Sequence, residues 1–268
     1  MKTVITSKNN PIVKEAAFLK EKKGRVRTGL FFVEGEKMTA ECIAAGAAGL
    51  EIERVFFAEN YAGRFADKIG KALALRGITE EKISYLSEIA FSYLSEEKTP
   101  QGVACAVKIP QYAPKSPEGD CLLLDGVADP GNLGTIIRTA NAAGYKEIYL
   151  VSCADAYSPK CVRSSMSGVF FTKLYDVSKS EALDLLKDVP IIAADMGGEN
   201  IFSFVTPQKI ALAIGNEANG ISEEVRKAAK YTVAIPMAGE QESLNAGVAA
   251  AVAMYTLRRE KFLKIMRF

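Results

Sequence analysis

"CLLLDGVADPGNLGTIIRTANAAG", residues 121–144, changes its periodicity in mid-course. The first five residues are an apolar run closed by Asp125. A strand buried on both faces reads this way, as in a parallel sheet with helices on either side. Pro130, Gly131 and Gly134 shape a tight turn, and the spacing beyond it is helical: Leu133, Ile136, Ile137 and Ala140 share one face. Strand, polar turn and helix in that order make one βα unit of an open α/β sheet. Ligands in such sheets gather beyond the carboxyl ends of the strands.

Arg138 points about 150° from the middle of that apolar face, at ~100° per residue. It is therefore outside the core, either simply solvated or placed to reach a phosphate with its planar fork. The turn itself is no standard nucleotide loop. Asn132 stands where a Walker lysine must be, and the glycines do not follow G-x-G-x-x-G.

Outward from this unit the alternation repeats. "EIYLV", "PIIAAD", "IALAIG" and "YTVAI" read as further buried strands, with helices near "PKCVRSSM", at "SEALDLLKD" and at "SEEVRKAAK". Two more strand-end loops are unusually polar. In "IALAIGNEANGIS", residues 210–222, Glu217 lies between Gly215 and Gly220, and Ser222 can cap the next helix. Gly215 reads as an open face for a close ligand. In "IPMAGEQESLNAGVAAAV", residues 235–252, Pro236 stops a strand and a last long helix is expected from Ser243 as N-cap. Ala246, Gly247, Ala249, Ala250 and Ala253 leave room for another backbone or a flat ligand.

The first hundred residues form a smaller α/β pattern. Helices are expected at "NPIVKEAAFLKEKK", at "EKMTAECIAAG" up to Gly46, at "NYAGRFADKIGKALAL" and at "SEIAFSYLS"; strands at "LFFVEG", "IERVFFA" and "GVACAVKI". "PQYAPKSPEGD", residues 110–120, holds three prolines and reads as a linker. The expected division is 1–108, a linker at 109–117, and 118–268.

Composition narrows the chemistry. There is no histidine among the 268 residues, which removes every Ser-His or Cys-His triad and every His-bound metal. The five cysteines are scattered without a CxxC pair, so no zinc site is expected and the thiols read as reduced, in the cytoplasm. No apolar stretch is long enough to span a membrane, and the N-terminus lacks a signal-peptide core. A reaction whose electrophile arrives on a cofactor suits these limits. Residues 1–30 carry eight Lys or Arg against Glu15 and Glu21, although the whole chain is only +2. Such a block is either a solvated face or a nucleic-acid footprint, with Lys20, Lys22, Lys23, Arg25 and Arg27 the expected phosphate contacts.

The three loops, as "NLGTIIRTANAAG", "IGNEANGIS" and "IPMAGEQESLNAGVAAAV", resemble the three signature motifs of the SpoU (TrmH) family of RNA ribose methyltransferases, within the SPOUT superfamily. "KCVRSSMSGVFF" is similar to the family as well. "SKNNPIVKEAAFLKEKKGRVRTGLFFVEGEKMTAECI" resembles the L30e-like substrate-binding domain of these enzymes. The resemblance implies a parallel α/β catalytic domain with a trefoil knot, a homodimer, and S-adenosylmethionine as cofactor. Nothing in the periodicity itself indicates a knot. Arg138 matches the arginine that acts on the ribose 2′-hydroxyl, as a phosphate-assisted base or as an electrostatic stabiliser. Asn132, Glu217 and Asn245 match the other polar positions of the catalytic set. Gly215, Ile235 and Leu244, with Ser243 alongside, match the cofactor wall. The implied substrate is RNA: both ribosomal RNA and tRNA are methylated within the family, the accessory domain favours ribosomal RNA, and a tRNA ribose methyltransferase is the alternative.

Two positions depart from the pattern: Thr135 replaces a commoner alanine, and Ala246-Gly247 replaces a commoner Val-Ser. Other readings stay open at this point. One is a non-catalytic RNA-binding protein on the same fold. Another is a Rossmann-type oxidoreductase, which the missing glycine fingerprint disfavours.

Overall fold

The computed structural model describes residues 3–45, 49–240 and 243–265. It divides into two compact units: residues 1–111 with 157–170, and residues 112–156 with 171–268.

In the first unit, β1 (Val4–Ile5), α1 (Pro11–Phe18), α2 (Lys22–Thr28), β2 (Leu30–Glu34), α3 (Glu36–Ala44), β3 (Ile52–Ala58), α4 (Ala66–Leu75), β4 (Ile83–Leu86), α5 (Glu88–Leu94) and β5 (Val103–Lys108) follow in order. The strands make a mixed sheet, β1-β4-β3-β5-β2. One face packs under α1 and α5, where Val13, Ala16, Leu19, Phe91 and Leu94 meet Phe32, Phe56 and Leu86. The helix expected across residues 10–23 breaks in two, because Arg25 donates to the Leu19 and Lys20 carbonyls (2.7 and 2.9 Å) and so closes α1. The helix expected from Asn60 begins only at Ala66. The expected stop at Gly46 lies outside the described residues. Two short strands, β1 and β4, were too brief to show an alternation of their own.

In the second unit, β6 (Cys121–Asp125), α6 (Pro130–Ala143) and β7 (Glu147–Val151) come first. The chain then contributes α7 (Pro159–Ser165) to the first unit. It continues through β8 (Lys173–Asp176), α8 (Lys179–Leu185), β9 (Ile191–Asn200), β10 (Ala211–Gly215), α9 (Glu223–Ala228), β11 (Tyr231–Ala234), α10 (Ala246–Leu257) and α11 (Arg259–Ile265). The strands form one parallel sheet, β11-β9-β10-β6-β7-β8, as the apolar runs predict. All five residues of β6 and of β7 are buried. On one face Leu123, Tyr149, Ala193 and Ala213 pack with Ala182, Leu186 and Val225.

Residues 109–117 carry no regular structure, in line with their prolines. Residues 157–170 lie in the span read as the second domain, yet they cluster with the first unit. Phe31 holds the rings of Tyr157 and Phe170 at 5.0 and 6.4 Å, Ser167 Oγ donates to Glu41, and Arg163 pairs with Glu96 at 2.9 Å. No helix among the described residues is long and apolar enough to cross a membrane.

Candidate active site

β6 and β10 are parallel neighbours in which Gly215 registers with Asp125. The first two polar loops therefore leave the sheet side by side. Asn216 Nδ2 donates to the Gly126 carbonyl at 2.8 Å, while its Oδ1 accepts the Ala218 and Asn219 N–H groups (2.9 and 3.0 Å). The far end of the second loop is held by Asp125, a buried carboxylate that accepts the Ser222 N–H at 2.8 Å. Lys179 faces that carboxylate at 3.8 Å and Glu224 at 3.3 Å. Ser222 occupies the cap position of α9, but its hydroxyl makes no cap bond.

The third loop starts at the end of β11, which borders β9, not β6 or β10. Asn245, beyond that loop, nevertheless lies against α6. Asn245 is the true N-cap of α10, in place of the expected Ser243. Its Oδ1 accepts the Gly247 and Val248 N–H groups at 2.9 and 3.3 Å. That duty fixes the amide, since an oxygen spent on two N–H donors leaves the Nδ2 group to donate. It donates to Asn132 Oδ1 at 2.9 Å. Asn132 Nδ2 is then the donor to Glu217 Oε1, at 3.0 Å. Glu217 also accepts the Ala128 and Asp129 N–H groups at 3.2 and 3.4 Å. The chain Asn245, Asn132, Glu217 has one compatible direction, and it ends on a carboxylate acceptor. Burial pushes the Glu217 carboxyl up, but the donors from Asn132, its own backbone, Ala128 and Asp129 outweigh that and hold it below the ordinary glutamate range.

Asn132, Glu217 and Asn245 are thus brought together by the fold, across 85 and 113 residues of sequence. Arg138 is exposed on α6 and stands outside their chain, while Leu133, Ile136, Ile137 and Ala140 are fully buried. Among the described residues Arg138 has no hydrogen-bond or ion-pair partner. Thr135 and Gly247, the two departures from the family pattern, touch. A Cβ at Gly247 would lie 3.2 Å from Thr135 Cγ2. The small-residue surface of α10 is thus occupied by α6, with Ala250 and Ala253 fully buried.

Gly215 has a different reason from the expected one. A Cβ there would lie 2.2 Å from the Gly220 carbonyl carbon, so backbone, not a ligand face, excludes a side chain. Asp125, Asn216 and Asp129 were not singled out as site residues, although each is a polar group at a strand or helix end. Asp129 caps α6 by accepting the Asn132 N–H at 2.8 Å.

The third loop fits a ligand that needs main-chain contacts. Among the described residues, the backbone of 235–240 and of Ser243 and Leu244 makes no hydrogen bond. Leu244 and Met237 are 38% and 37% exposed, and Ile235 is half-buried. Unengaged N–H and C=O groups there lie beside apolar side chains, the surroundings that a flat ligand with polar edges requires. Ser243 is exposed beside them. Among the described residues no cluster could hold a metal ion.

The chain is similar to known proteins along most of its length. The SpoU rRNA Methylase family model matches residues 121–255, and the MRM3-like substrate binding domain model matches residues 10–105. The 23S rRNA (guanosine(2553)-2'-O)-methyltransferase RlmP of Bacillus subtilis is 32% identical over 262 residues, covering 96% of this chain and 100% of that protein. The 23S rRNA (uridine(2479)-2'-O)-methyltransferase of Streptomyces viridochromogenes is 29% identical, covering 96% and 92%. The crystal structure of an AdoMet-bound rRNA methyltransferase from Sinorhizobium meliloti superposes with a TM-score of 0.83 at 29% identity, covering 96% and 98%. Two-domain coverage and all three strand-end loops lead to one conclusion: the chain belongs to the SpoU rRNA methylase family.

Proposed function

We propose that this chain transfers a methyl group from S-adenosylmethionine to a ribose 2′-hydroxyl in RNA, and that the RNA is ribosomal. The observation that carries the reading is the side-chain tie of the three loops, outside which Arg138 has no hydrogen-bond or ion-pair partner among the described residues. When bound, the cofactor supplies a methyl made electrophilic by its sulfonium. The protein's own work is to position and to stabilise charge. The 2′-hydroxyl would lose its proton to solvent as the methyl passes to its oxygen and the sulfonium departs as a neutral thioether, and Arg138 would hold the charge that develops on that oxygen with its planar fork. Asn132, Glu217 and Asn245 are positioning residues whose hydrogen bonds are spent on one another. The unengaged backbone of Ile235 and Leu244, with Ser243 beside them, receives the cofactor. Gly215 keeps the second loop tight enough to stand next to them.

The active species is a homodimer, in the cytoplasm. α10 is apolar all the way around, and such a helix belongs in a fully covered position. Yet Val248 and Tyr255, seven residues apart on one stripe, are 49% and 45% exposed. A second copy covers them. Light scattering checks this, and Tyr255→Glu is expected to shift the chain to monomer.

The test of the function is transfer of labelled methyl groups to protein-free ribosomal RNA and, separately, to tRNA, with mapping of the modified ribose. Label in ribosomal RNA is expected. Label in tRNA alone overturns the ribosomal assignment. No binding of S-adenosylmethionine by titration overturns the enzyme.

A further inference from the structure

The last residue of β6 holds both ends of the second loop. Through the ladder, Asp125 registers with Gly215, where the loop begins. Through its side chain it reaches Ser222, where the loop ends: Oδ2 accepts the Ser222 N–H at 2.8 Å. Between these points the loop is folded tightly on itself. Asn216 and Gly220 exchange two backbone hydrogen bonds of 2.9 Å, and Asn216 Nδ2 donates to the carbonyl of Gly126, the neighbour of Asp125. The path from Gly215 to Ser222 is therefore set by two consecutive residues of the first loop, Asp125 and Gly126.

A carboxylate is a costly group for this task. Asp125 is 6% exposed, and taking a charge out of water costs far more than burying an amide or a hydroxyl. A single backbone N–H could be met by a neutral oxygen. What the charge adds is a stronger hydrogen bond and a second hold. Lys179 Nζ, at the start of α8, stands 3.8 Å from Asp125 Oδ1 and 3.3 Å from Glu224 in the first turn of α9. The carboxylate thus joins β6, α8 and the start of α9 at the point where the loop runs out.

Neither Asp125 nor Lys179 belongs to the hydrogen-bonded chain of Glu217, Asn132 and Asn245, yet that chain hangs from the loop they hold. A loop released at Ser222 shifts Glu217, and with it Asn132 and Asn245, the residue after Leu244. We propose that Asp125, supported by Lys179, is a positioning residue for S-adenosylmethionine: it fixes the exit of the second loop and so the wall to which Leu244 belongs. The proposal rests on the reading of that wall as the cofactor site.

Glu147, at the other end of the same sheet, supplies the matched comparison. It starts β7, is 4% exposed and accepts the Glu118 N–H at 2.8 Å, far from the loops that follow the strand ends. Titration calorimetry of S-adenosylmethionine into the full chain is combined with urea midpoints. Asp125→Ala and Glu147→Ala should both lower the midpoint. Only Asp125→Ala is expected to weaken S-adenosylmethionine, by about tenfold. Asp125→Asn keeps an oxygen to accept the Ser222 N–H and should stay within about threefold of the unmodified chain. Ser222→Pro removes the same hydrogen bond from the donor's side, at a φ of −62° that the proline ring accepts. It should match Asp125→Ala, and it decides the matter if Asp125→Ala does not fold. Unchanged affinity in either variant, once folded, overturns the proposal. So does an equal loss in Glu147→Ala, which would mean that any loss of stability weakens the cofactor. An Asp125→Asn chain as weak as Asp125→Ala overturns it too, because charge and not position would then be at work. If the unmodified chain binds S-adenosylmethionine and the Asp125 variants match it, only the positioning role falls. If the unmodified chain binds none, the functional reading falls and the positioning role with it.

Discussion

At the scale of single residues, Arg138 and Glu217 are both charged and both exposed, but they are placed for different work. Arg138 packs against nothing in the core, so Arg138→Ala should leave stability and cofactor affinity near normal. Single-turnover methyl transfer at saturating RNA should fall by about 10²-fold or more. Arg138→Lys should not restore it, because a point charge cannot reproduce a planar fork. A folded Arg138→Ala enzyme with a near-normal rate would remove this side chain from the mechanism. Glu217 sits where three donors converge, and its carboxyl is held below the ordinary range. A group depressed on folding stabilises the fold above its unfolded pKa and loses that contribution as pH falls through its folded pKa. Denaturant midpoints of the unmodified chain should therefore decline on acidification below the ordinary glutamate range. Glu217→Gln should show a lower midpoint at neutral pH and a flatter acid side. An acid dependence unchanged by the substitution would mean that the ionised carboxylate is not what holds the loops.

At the scale of elements, α6 and α10 are fitted to each other at the pair Thr135 and Gly247. A Cβ at position 247 would lie 3.2 Å from the threonine methyl, 3.3 Å from Thr135 Cβ and 3.2 Å from Asn245 Oδ1, and only the first of these contacts is removed by an alanine at 135. Replacing Gly247 by alanine gains helix propensity and loses packing, so its sign alone is uninformative. The coupling is informative. Gly247→Ala should be more favourable by about 1 kcal/mol in a Thr135→Ala background than in the unmodified chain, measured by urea unfolding of the four variants. Additive effects would show that the two helices do not meet there. A threonine on α6 is accommodated where α10 offers glycine.

At the scale of the whole molecule, the chain leaves the second unit after residue 156 and returns at residue 171. The excursion lends Tyr157 and Phe170 to the ring of Phe31 and gives Arg163 to Glu96. Cutting the protein at the sequence-visible linker would therefore not separate two finished units. A fragment of residues 112–268 should expose Phe170 and Val162, which are 3% and 2% exposed in the intact chain. It is expected to bind a hydrophobic dye and to aggregate by light scattering where the full chain does not. A monodisperse fragment that binds no dye would show that the segment is self-sufficient.

By itself the sequence determined the local structure of the second unit and the outline of its site. Runs such as "CLLLD" and "IALAIG" can only be strands covered on both faces, and the polar loops after them must lie at strand ends. The period of α6 put Arg138 off the core before any contact was known, and the missing histidines removed the commonest acid–base chemistry. These are properties of spacing and composition, which the chain carries locally. What only the tertiary structure decided was contact between distant loops. The order β11-β9-β10-β6 sets the third loop's task of returning Asn245 to Asn132, and no periodicity encodes strand order. Burial decided that Arg25 closes a helix instead of meeting phosphate, and that Gly215 makes room for Gly220. Short strands β1, β4 and β8 escaped notice because two to four residues cannot display an alternation. Residues 157–170 changed units because their aromatic rings found a partner about 130 residues earlier in the chain, a choice made by packing and invisible to any local pattern.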